Sequence, residues 1–487
     1  MAFPVSGGIS LLSFLTRRGS FSPPPALFLS MGAEMQMKPS IYNFIWPSGD
    51  SGKLMVFNSL TTSLVEVGRT HAELLNVPRF EYDTLPIAAK QFADGLKQGG
   101  FVLEDQTDEL KILKFAYNSR KYHRSGLGFT IAPTLRCNFA CTYCYEQSGE
   151  NQDKRDGQNV FMPENVQQEL LDYIKRAAKT VKGVNITWFG GEPLLGKDII
   201  FDLSEKIIAI TGENKLGYNA RMVTNGYLLT GDPEIVQKLK DSRITAFQIT
   251  LDGPPDVHNS RRMLKADKGP TFDRILEGIK LLKANEMRVA LRINVDRSNM
   301  DGVLKLLDIL EANNLKDMPI KLGHVSAYSA GCKSIENSCA TKEEFTVLNQ
   351  TLQETLRRRG FKTGQTPYYP SIAHSCTANQ INAFVVDPDG DMYKCWSEIG
   401  DKPARIGNII DFKQRGKDQR MREIGWLTWE PFEYADCRAC KVLPICMGSC
   451  AYRAMFVNKD RPDCAEWKYG LEHYVRARFD REKEISF

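Results

Sequence analysis

Three cysteines at short spacing are the residues of this sequence best suited to chemistry. Cys137, Cys141 and Cys144 form a CxxxCxxC pattern, and soft thiolate ligands at such spacing favour zinc or an iron–sulfur cluster. A 4Fe–4S cluster has four iron corners, so three thiolates from one loop leave one iron open to a small ligand. Two other interpretations stay open: a zinc site that lacks one ligand, and three buried thiols.

A second set of cysteines is concentrated near the C-terminus. Its seven members, out of twelve cysteines in the chain, are Cys376, Cys395, Cys437, Cys440, Cys446, Cys450 and Cys464. The apolar run 9–15 precedes Arg17 and Arg18, which is the reverse of the order in a secretory signal. We therefore expect a cytoplasmic protein, in which clustered thiols bind metal more often than they form disulfides. Zinc is the competing metal, because two close cysteine pairs are also zinc spacing.

Composition argues against several classes of partner. The 487 residues carry a net charge of +5, which gives no sign of the concentrated basic surface that nucleic-acid-binding proteins need. No run approaches the roughly 18 uninterrupted apolar residues of a membrane helix. We therefore expect neither a nucleic-acid partner nor a membrane span.

Strand-like apolar runs alternate with helical patterns between residues 126 and 330. The runs lie at 128–133, 184–189, 218–223, 244–251, 288–295 and 318–325. Six β/α units in series predict an α/β fold with a parallel sheet, either curled into a partial (β/α)6 barrel, which we expect, or left open. The chemistry of such folds lies where the strands end, and the first cysteine set follows the first strand.

The rest of the chain divides into residues 1–38, 39–125, 331–375 and 376–487. We expect the first to be a disordered leader, or to precede a true start at Met31, Met35 or Met37. The second is predicted to be a small α+β domain that opens with a hairpin. The third bridges to the fourth and holds the last barrel helix. The fourth is a small cysteine-rich domain of the kind that metal usually stabilises.

The first cysteine pattern resembles the signature of the radical S-adenosylmethionine (SAM) superfamily, CxxxCxΦC, with Tyr143 at the aromatic position. The resemblance implies a 4Fe–4S cluster that binds SAM and cleaves it to a 5′-deoxyadenosyl radical. Residues at the strand ends also resemble the family's cofactor-binding segments, and the SAM contacts expected from them are Tyr143, Gly190, Gly191, Glu192, Asn225, Thr250, Arg262 and Arg292. A simple turn at Asn225 and structural ion pairs at the arginines are the alternatives. No catalytic residue is assigned.

The C-terminal cysteines, with Gly390 between the first two, resemble the SPASM domain of peptide- and protein-modifying radical enzymes. The resemblance implies two auxiliary 4Fe–4S clusters, and so three clusters in all. The outer cluster would be held by Cys437, Cys440, Cys446 and Cys464, and the inner one by Cys376, Cys395 and Cys450. For the fourth inner ligand the candidates are an open corner, Cys332, Cys339 and His374.

These resemblances predict an enzyme that matures a ribosomally made peptide by forming a thioether or carbon–carbon crosslink. Its partners would be the precursor peptide and a reductant such as flavodoxin or ferredoxin. Residues 39–125 would bind the leader of the precursor by strand addition, or would serve only as a cap at the barrel bottom. One alternative function is anaerobic sulfatase maturation, which forms formylglycine, although the long N-terminal extension argues against it. The other is a non-catalytic iron–sulfur electron carrier.

Overall fold

A computed structural model describes residues 35–49, 52–146, 159–328, 335–361, 370–459 and 461–485. The predicted leader lies outside these residues as far as residue 34. No helix in the described ranges has both the length and the apolar character needed to cross a membrane.

The N-terminal unit consists of two small sheets and two helices. Its elements are β1 (Gln36–Pro39), β2 (Asn43–Pro47), β3 (Lys53–Asn58), β4 (Leu64–Gly68), β5 (Phe80–Glu81), α1 (Ile87–Gln98), β6 (Val102–Glu104) and α2 (Glu109–Lys121). The sheets have the orders β5-β1-β6 and β2-β3-β4, and the antiparallel β2–β3 pair confirms the predicted hairpin. The predicted leader boundary is wrong at residues 36–38, which belong to β1. Met37 pairs there with Phe80 and is fully buried in the core of the unit.

Six parallel strands follow in chain order, as predicted, each within a few residues of its predicted range. The elements are β7 (Gly126–Ile131), α3 (Glu164–Ala177), β8 (Gly183–Trp188), α4 (Lys197–Glu213), β9 (Gly217–Val223), α5 (Ile235–Asp241), β10 (Ile244–Thr250), α6 (Pro255–Arg261), α7 (Phe272–Ala284), β11 (Arg288–Val295), α8 (Gly302–Ala312) and β12 (Ile320–His324). Helix α9 (Lys342–Arg358) begins with a capping box between Thr341 and Glu344. The parallel α/β class is confirmed, whereas curvature into a partial barrel stays a prediction.

The cysteine-rich region extends the same sheet. Its elements are β13 (Ala383–Val386), β14 (Asp391–Tyr393), β15 (Gly407–Asn408), α10 (Lys417–Thr428), α11 (Ala435–Arg438), α12 (Leu443–Cys446) and α13 (Trp467–Ile485). Strand β13 pairs in parallel with β7, so the described strands form a nine-stranded sheet in the order β12-β11-β10-β9-β8-β7-β13-β14-β15. This continuity was not predicted, and it places the hairpin that precedes Cys395 next to β7, the strand that the first cysteine set follows.

The N-terminal unit packs on the cysteine-rich region through two apolar clusters. In one, Tyr42 and Tyr117 meet Phe432 and Cys437. In the other, Phe57 and its neighbours on the hairpin meet Ile445, Val475 and Phe479. The unit therefore supports the region that holds the predicted auxiliary clusters, a contact that neither hypothesis for residues 39–125 anticipated.

Candidate functional site

The first cysteine set lies on the loop that follows β7. Cys137, Cys141 and Cys144 are all partly buried. Backbone hydrogen bonds tie this loop to the end of α6, with Thr142 N donating to Arg261 O at 3.0 Å. Burial raises the pKa of the Cys137 thiol, and the neighbouring thiols of Cys141 and Cys144 raise it further. The thiols of Cys141 and Cys144 are therefore close enough to interact electrostatically with that of Cys137.

The loop after β8 supports the cysteine loop through its two glycines. Gly190 has φ +122°, and a Cβ there would lie 2.3 Å from Thr134 O. A Cβ on Gly191 would lie 2.3 Å from Arg136 O, and Glu192 N donates to that same oxygen at 2.8 Å. Because a side chain at either position would push the cysteine loop away, this close approach requires glycine.

Glu192 joins the loops after β8 and β9. Its buried carboxylate accepts hydrogen bonds from Leu194 N at 3.0 Å, Thr224 Oγ1 at 2.7 Å and Asn225 N at 2.7 Å. Burial raises the pKa of this carboxyl, and the three donors oppose the rise. Asn225 in turn donates from Nδ2 to Asn138 Oδ1 at 2.8 Å on the cysteine loop. Both residues therefore help to position the cysteines.

Tyr143 is held by a buried polar network at the ends of β10 and β11. Its hydroxyl donates to Asp252 Oδ2 at 2.5 Å and accepts from Arg262 Nη1 at 2.8 Å and from Asn294 Nδ2 at 3.1 Å. The guanidinium of Arg261 lies 5.0 Å from the ring centroid. From the sequence, no role was assigned to Asp252 or to Asn294.

The two candidate cofactor arginines lie in different places. Arg262 is buried next to the cysteine loop, 5.7 Å above the Phe139 ring, and the nearby Cys141 thiol helps to raise its pKa. Arg292 lies further away on β11, where its Nε donates to Asn294 Oδ1 at 2.6 Å. Thr250, the last residue of β10, is buried and is in register with Arg292. Of the two arginines, the structure brings Arg262 to the first cysteine set.

The C-terminal thiols are close enough to influence one another electrostatically, and their division into an outer and an inner set stays a prediction. After burial, the causes that raise the pKa of Cys437 are the thiols of Cys446, Cys464 and Cys440, in that order. Cys376 contributes in the same way to the raised pKa values of Cys395 and Cys450.

Two backbone features separate and present these thiols. Met447, Gly448 and Ser449 all have positive φ, which turns the chain sharply between Cys446 of the outer set and Cys450 of the inner set. On the inner side, the turn that ends at Gly390 (φ +80°) closes the β13–β14 hairpin ahead of Cys395.

The first and inner sets approach each other at Tyr145. Burial of the Tyr145 hydroxyl raises its pKa, and the thiols of Cys144 and Cys395 contribute to the rise. The ring centroid of Tyr145 is 6.1 Å from that of Tyr328, which packs edge-on against Tyr452, two residues beyond Cys450. A chain of aromatic rings therefore runs from the first cysteine loop to the segment that follows Cys450.

The donor chemistry fits iron–sulfur clusters. The ten candidate ligands are all cysteines, and thiols are the donors that such clusters require. Within the described ranges, no three His, Cys, Asp or Glu side chains form a site that could hold a single metal ion. The fit therefore rests on the chemistry of the thiol donors.

The candidates for the fourth inner ligand differ in position. Cys339 donates its thiol hydrogen to Ile335 O at 3.3 Å, just ahead of α9. His374 is largely exposed. Partial desolvation of its ring and the nearby Arg120 both lower its pKa. Cys332 lies outside the described residues. Cys376 of the inner set is itself exposed, so this set borders solvent.

Comparison with known proteins points to one superfamily. Residues 131–310 match the radical SAM superfamily. Fe-coproporphyrin III synthase of Methanosarcina barkeri is 25% identical over 230 residues, covering 47% of this chain and 52% of that protein. The chain therefore spans about half the length of this relative. The serine-type anaerobic sulfatase-maturating enzyme of Bacteroides thetaiotaomicron is 22% identical over 342 residues, covering 64% of this chain and 80% of that enzyme.

A solved structure shares the fold. Native anSMEcpe with bound AdoMet and a peptide superposes with a TM-score of 0.56 at 18% identity, covering 74% of this chain and 99% of that one. At this identity, the likeness establishes the common α/β fold.

Proposed function

Residues 131–310 are a radical SAM domain, and from this premise we propose that the chain is a peptide maturase that crosslinks a ribosomally made peptide. The bond would be a thioether or a carbon–carbon bond. The observation that carries the proposal is the N-terminal unit, a folded body that packs on the cysteine-rich region through two apolar clusters. A unit of this size with two sheets provides edge strands to which a leader peptide could add by main-chain hydrogen bonds.

In this proposal Cys137, Cys141 and Cys144 hold the first cluster, and the C-terminal sets hold two auxiliary clusters. When bound, the first cluster and SAM would supply a 5′-deoxyadenosyl radical. The protein's own part is to position and shield. Glu192 and the glycines before it fix the cysteine loop from one side, and the network of Tyr143 and Asp252 fixes it from the other.

Anaerobic sulfatase maturation is the second candidate, because the match to the Bacteroides enzyme covers 80% of that enzyme. A cysteine-type sulfatase-maturating enzyme of Clostridium perfringens also matches, at 24% identity over 85% of its length. The N-terminal unit lies outside the radical SAM match and favours the peptide maturase.

Product analysis separates the two functions. The anaerobically reconstituted and reduced protein is incubated with SAM and, in parallel, with a candidate precursor peptide or with a sulfatase-derived peptide. A peptide that has lost two hydrogens and does not react with a hydrazide supports crosslinking. An aldehyde captured by the hydrazide on the sulfatase peptide alone would establish formylglycine formation and overturn the proposal.

A further inference from the structure

One face of the six-stranded parallel sheet, the open face, carries exposed polar side chains: Asn185, Asn219, Arg221, Arg288 and Lys321. Helices bury the opposite face, where Val289, Leu291 and Ile293 of β11 lie in the core. On the open face, Asn219 Nδ2 donates to Asn185 Oδ1 at 3.4 Å and Arg221 Nε donates to Thr187 Oγ1 at 2.9 Å. These four residues therefore lie on one face of the sheet, and the residues in register with them on neighbouring strands lie on the same face.

The charged side chains that strands β7–β12 place on this open face are all positive. Strands β7–β12 contain no Asp or Glu, and they place four cations on the face: Arg221, Arg288, Arg292 and Lys321. Arg221 and Arg288 are both in register with Ala246 on the strand between them, so their Cα atoms are about 10 Å apart. Arg292 and Lys321 are in register on neighbouring strands, about 5 Å apart.

These cations lack acidic partners. Among the described residues, no carboxylate lies within ion-pair distance of any of the four, and Arg221, Arg288 and Lys321 are exposed. Arg292 has the neutral Asn294 as partner, and Gly323 makes room for its guanidinium, since a Cβ there would lie 2.4 Å from Arg292 Nη2. Like charges in register on adjacent strands are destabilising, so a bound anion would offset a cost already present in the fold.

We propose that the open face, defined by Arg221, Arg288, Arg292 and Lys321, binds an acidic segment of the peptide substrate. The inference rests on the proposed function, since it specifies the chemistry of that peptide. Arg292 lies nearest the strand ends and is also a candidate for the cofactor carboxylate. Arg288 begins β11, and Arg221 is level with it across the sheet, far below the cysteine loop. Carboxylates along an extended peptide match this line of guanidinium and ammonium groups.

The test measures binding of a short fluorescein-labelled poly-glutamate peptide to the holoenzyme by anisotropy, without reductant. The open-face variant is Arg221→Gln, Arg288→Gln, Lys321→Gln. The control variant, Lys179→Gln, Lys240→Gln, Lys305→Gln, removes the same charge from exposed lysines outside the sheet. We expect the open-face variant to bind at least about tenfold more weakly at low salt, with iron content unchanged, and the control to stay within about twofold of the wild type.

Equal losses in both variants, or equal binding of a poly-lysine peptide, would overturn the inference. Preference of the wild type for a single-stranded oligonucleotide over the acidic peptide would overturn it as well. Wild-type protein that forms 5′-deoxyadenosine but does not bind the probe refutes the open-face site and leaves the proposed function standing. Protein that binds the probe through this face, yet leaves every acidic peptide unmodified, refutes the proposed function instead.

Discussion

Replacing Gly191 by alanine should displace the loop that carries Cys137. The new Cβ would lie 2.3 Å from Arg136 O, 2.5 Å from Leu135 O and 2.6 Å from Arg136 C, all of them backbone atoms. To reach 3.0 Å, the shortest separation that real Cβ atoms tolerate, the loops must part by about 0.7 Å. Gly191 is a cleaner choice than Gly190, whose φ of +122° would add backbone strain.

A displacement approaching 1 Å at a reacting centre can cost about 100-fold in rate. We therefore expect Gly191→Ala to lower 5′-deoxyadenosine formation by up to about 100-fold and to weaken the electron paramagnetic resonance signal of the first cluster. The matched control is Gly212→Ala on α4, where a Cβ meets no atom within 4 Å and wild-type activity is expected. Full iron content and a wild-type rate in Gly191→Ala would show that close packing of the two loops is not required.

Three further predictions follow from other parts of the molecule. Cys437→Ala should lose about four iron atoms per chain, whereas Cys339→Ala should lose none if the inner cluster has an open corner. Iron and sulfide analysis of both variants measures this. A loss of about four iron atoms in Cys339→Ala would make this residue the fourth ligand. Burial raises the pKa of Asp387 to about 7. Protonated Asp387 therefore stabilises the folded protein fully below the ordinary Asp pKa, and the free energy of unfolding falls by up to about 4 kcal/mol as pH rises towards 7. The thermal stability of Asp387→Asn relative to the wild type should therefore increase between pH 5 and pH 8. A difference in stability that does not change with pH would contradict a raised pKa of Asp387. Phe57→Ala should lower the free energy of unfolding by about 3–5 kcal/mol and reduce the iron content of the auxiliary clusters. The control Phe115→Ala, at a side chain that is 74% exposed, should change neither. Equal effects of both substitutions would show that the apolar cluster around Phe57 does not stabilise the cysteine-rich region.

The strands of the parallel sheet could be predicted because apolar residues recur along each of them and are buried on one face. The cysteine sets could be predicted because their spacing along the chain is itself the chemical signal. The turn that ends at Gly390 also indicated the β13–β14 hairpin, but the pairing of β13 with β7 could not be predicted, since strands β13–β15 are two to four residues long and carry too little pattern to show their partners. As a result, the continuity of the cysteine-rich region with the main sheet became visible only in three dimensions.

The polar network around Tyr143 was also beyond sequence reasoning. It joins residues 109 and 151 positions apart, and no local period relates them. The signal that could have pointed to it was Asp252, an acidic residue directly after a buried strand in a parallel sheet. The docking of the N-terminal unit on the cysteine-rich region was missed for the same reason, because its two apolar clusters join segments from opposite ends of the chain.

The most direct test of the central claim is 5′-deoxyadenosine formation by the anaerobically reconstituted, reduced protein. The wild type should convert SAM to 5′-deoxyadenosine, and the triple variant Cys137→Ala, Cys141→Ala, Cys144→Ala should form none while it keeps the iron of the two auxiliary clusters, about eight atoms. Continued 5′-deoxyadenosine formation by the triple variant would contradict the assignment of the radical-generating cluster to these three cysteines.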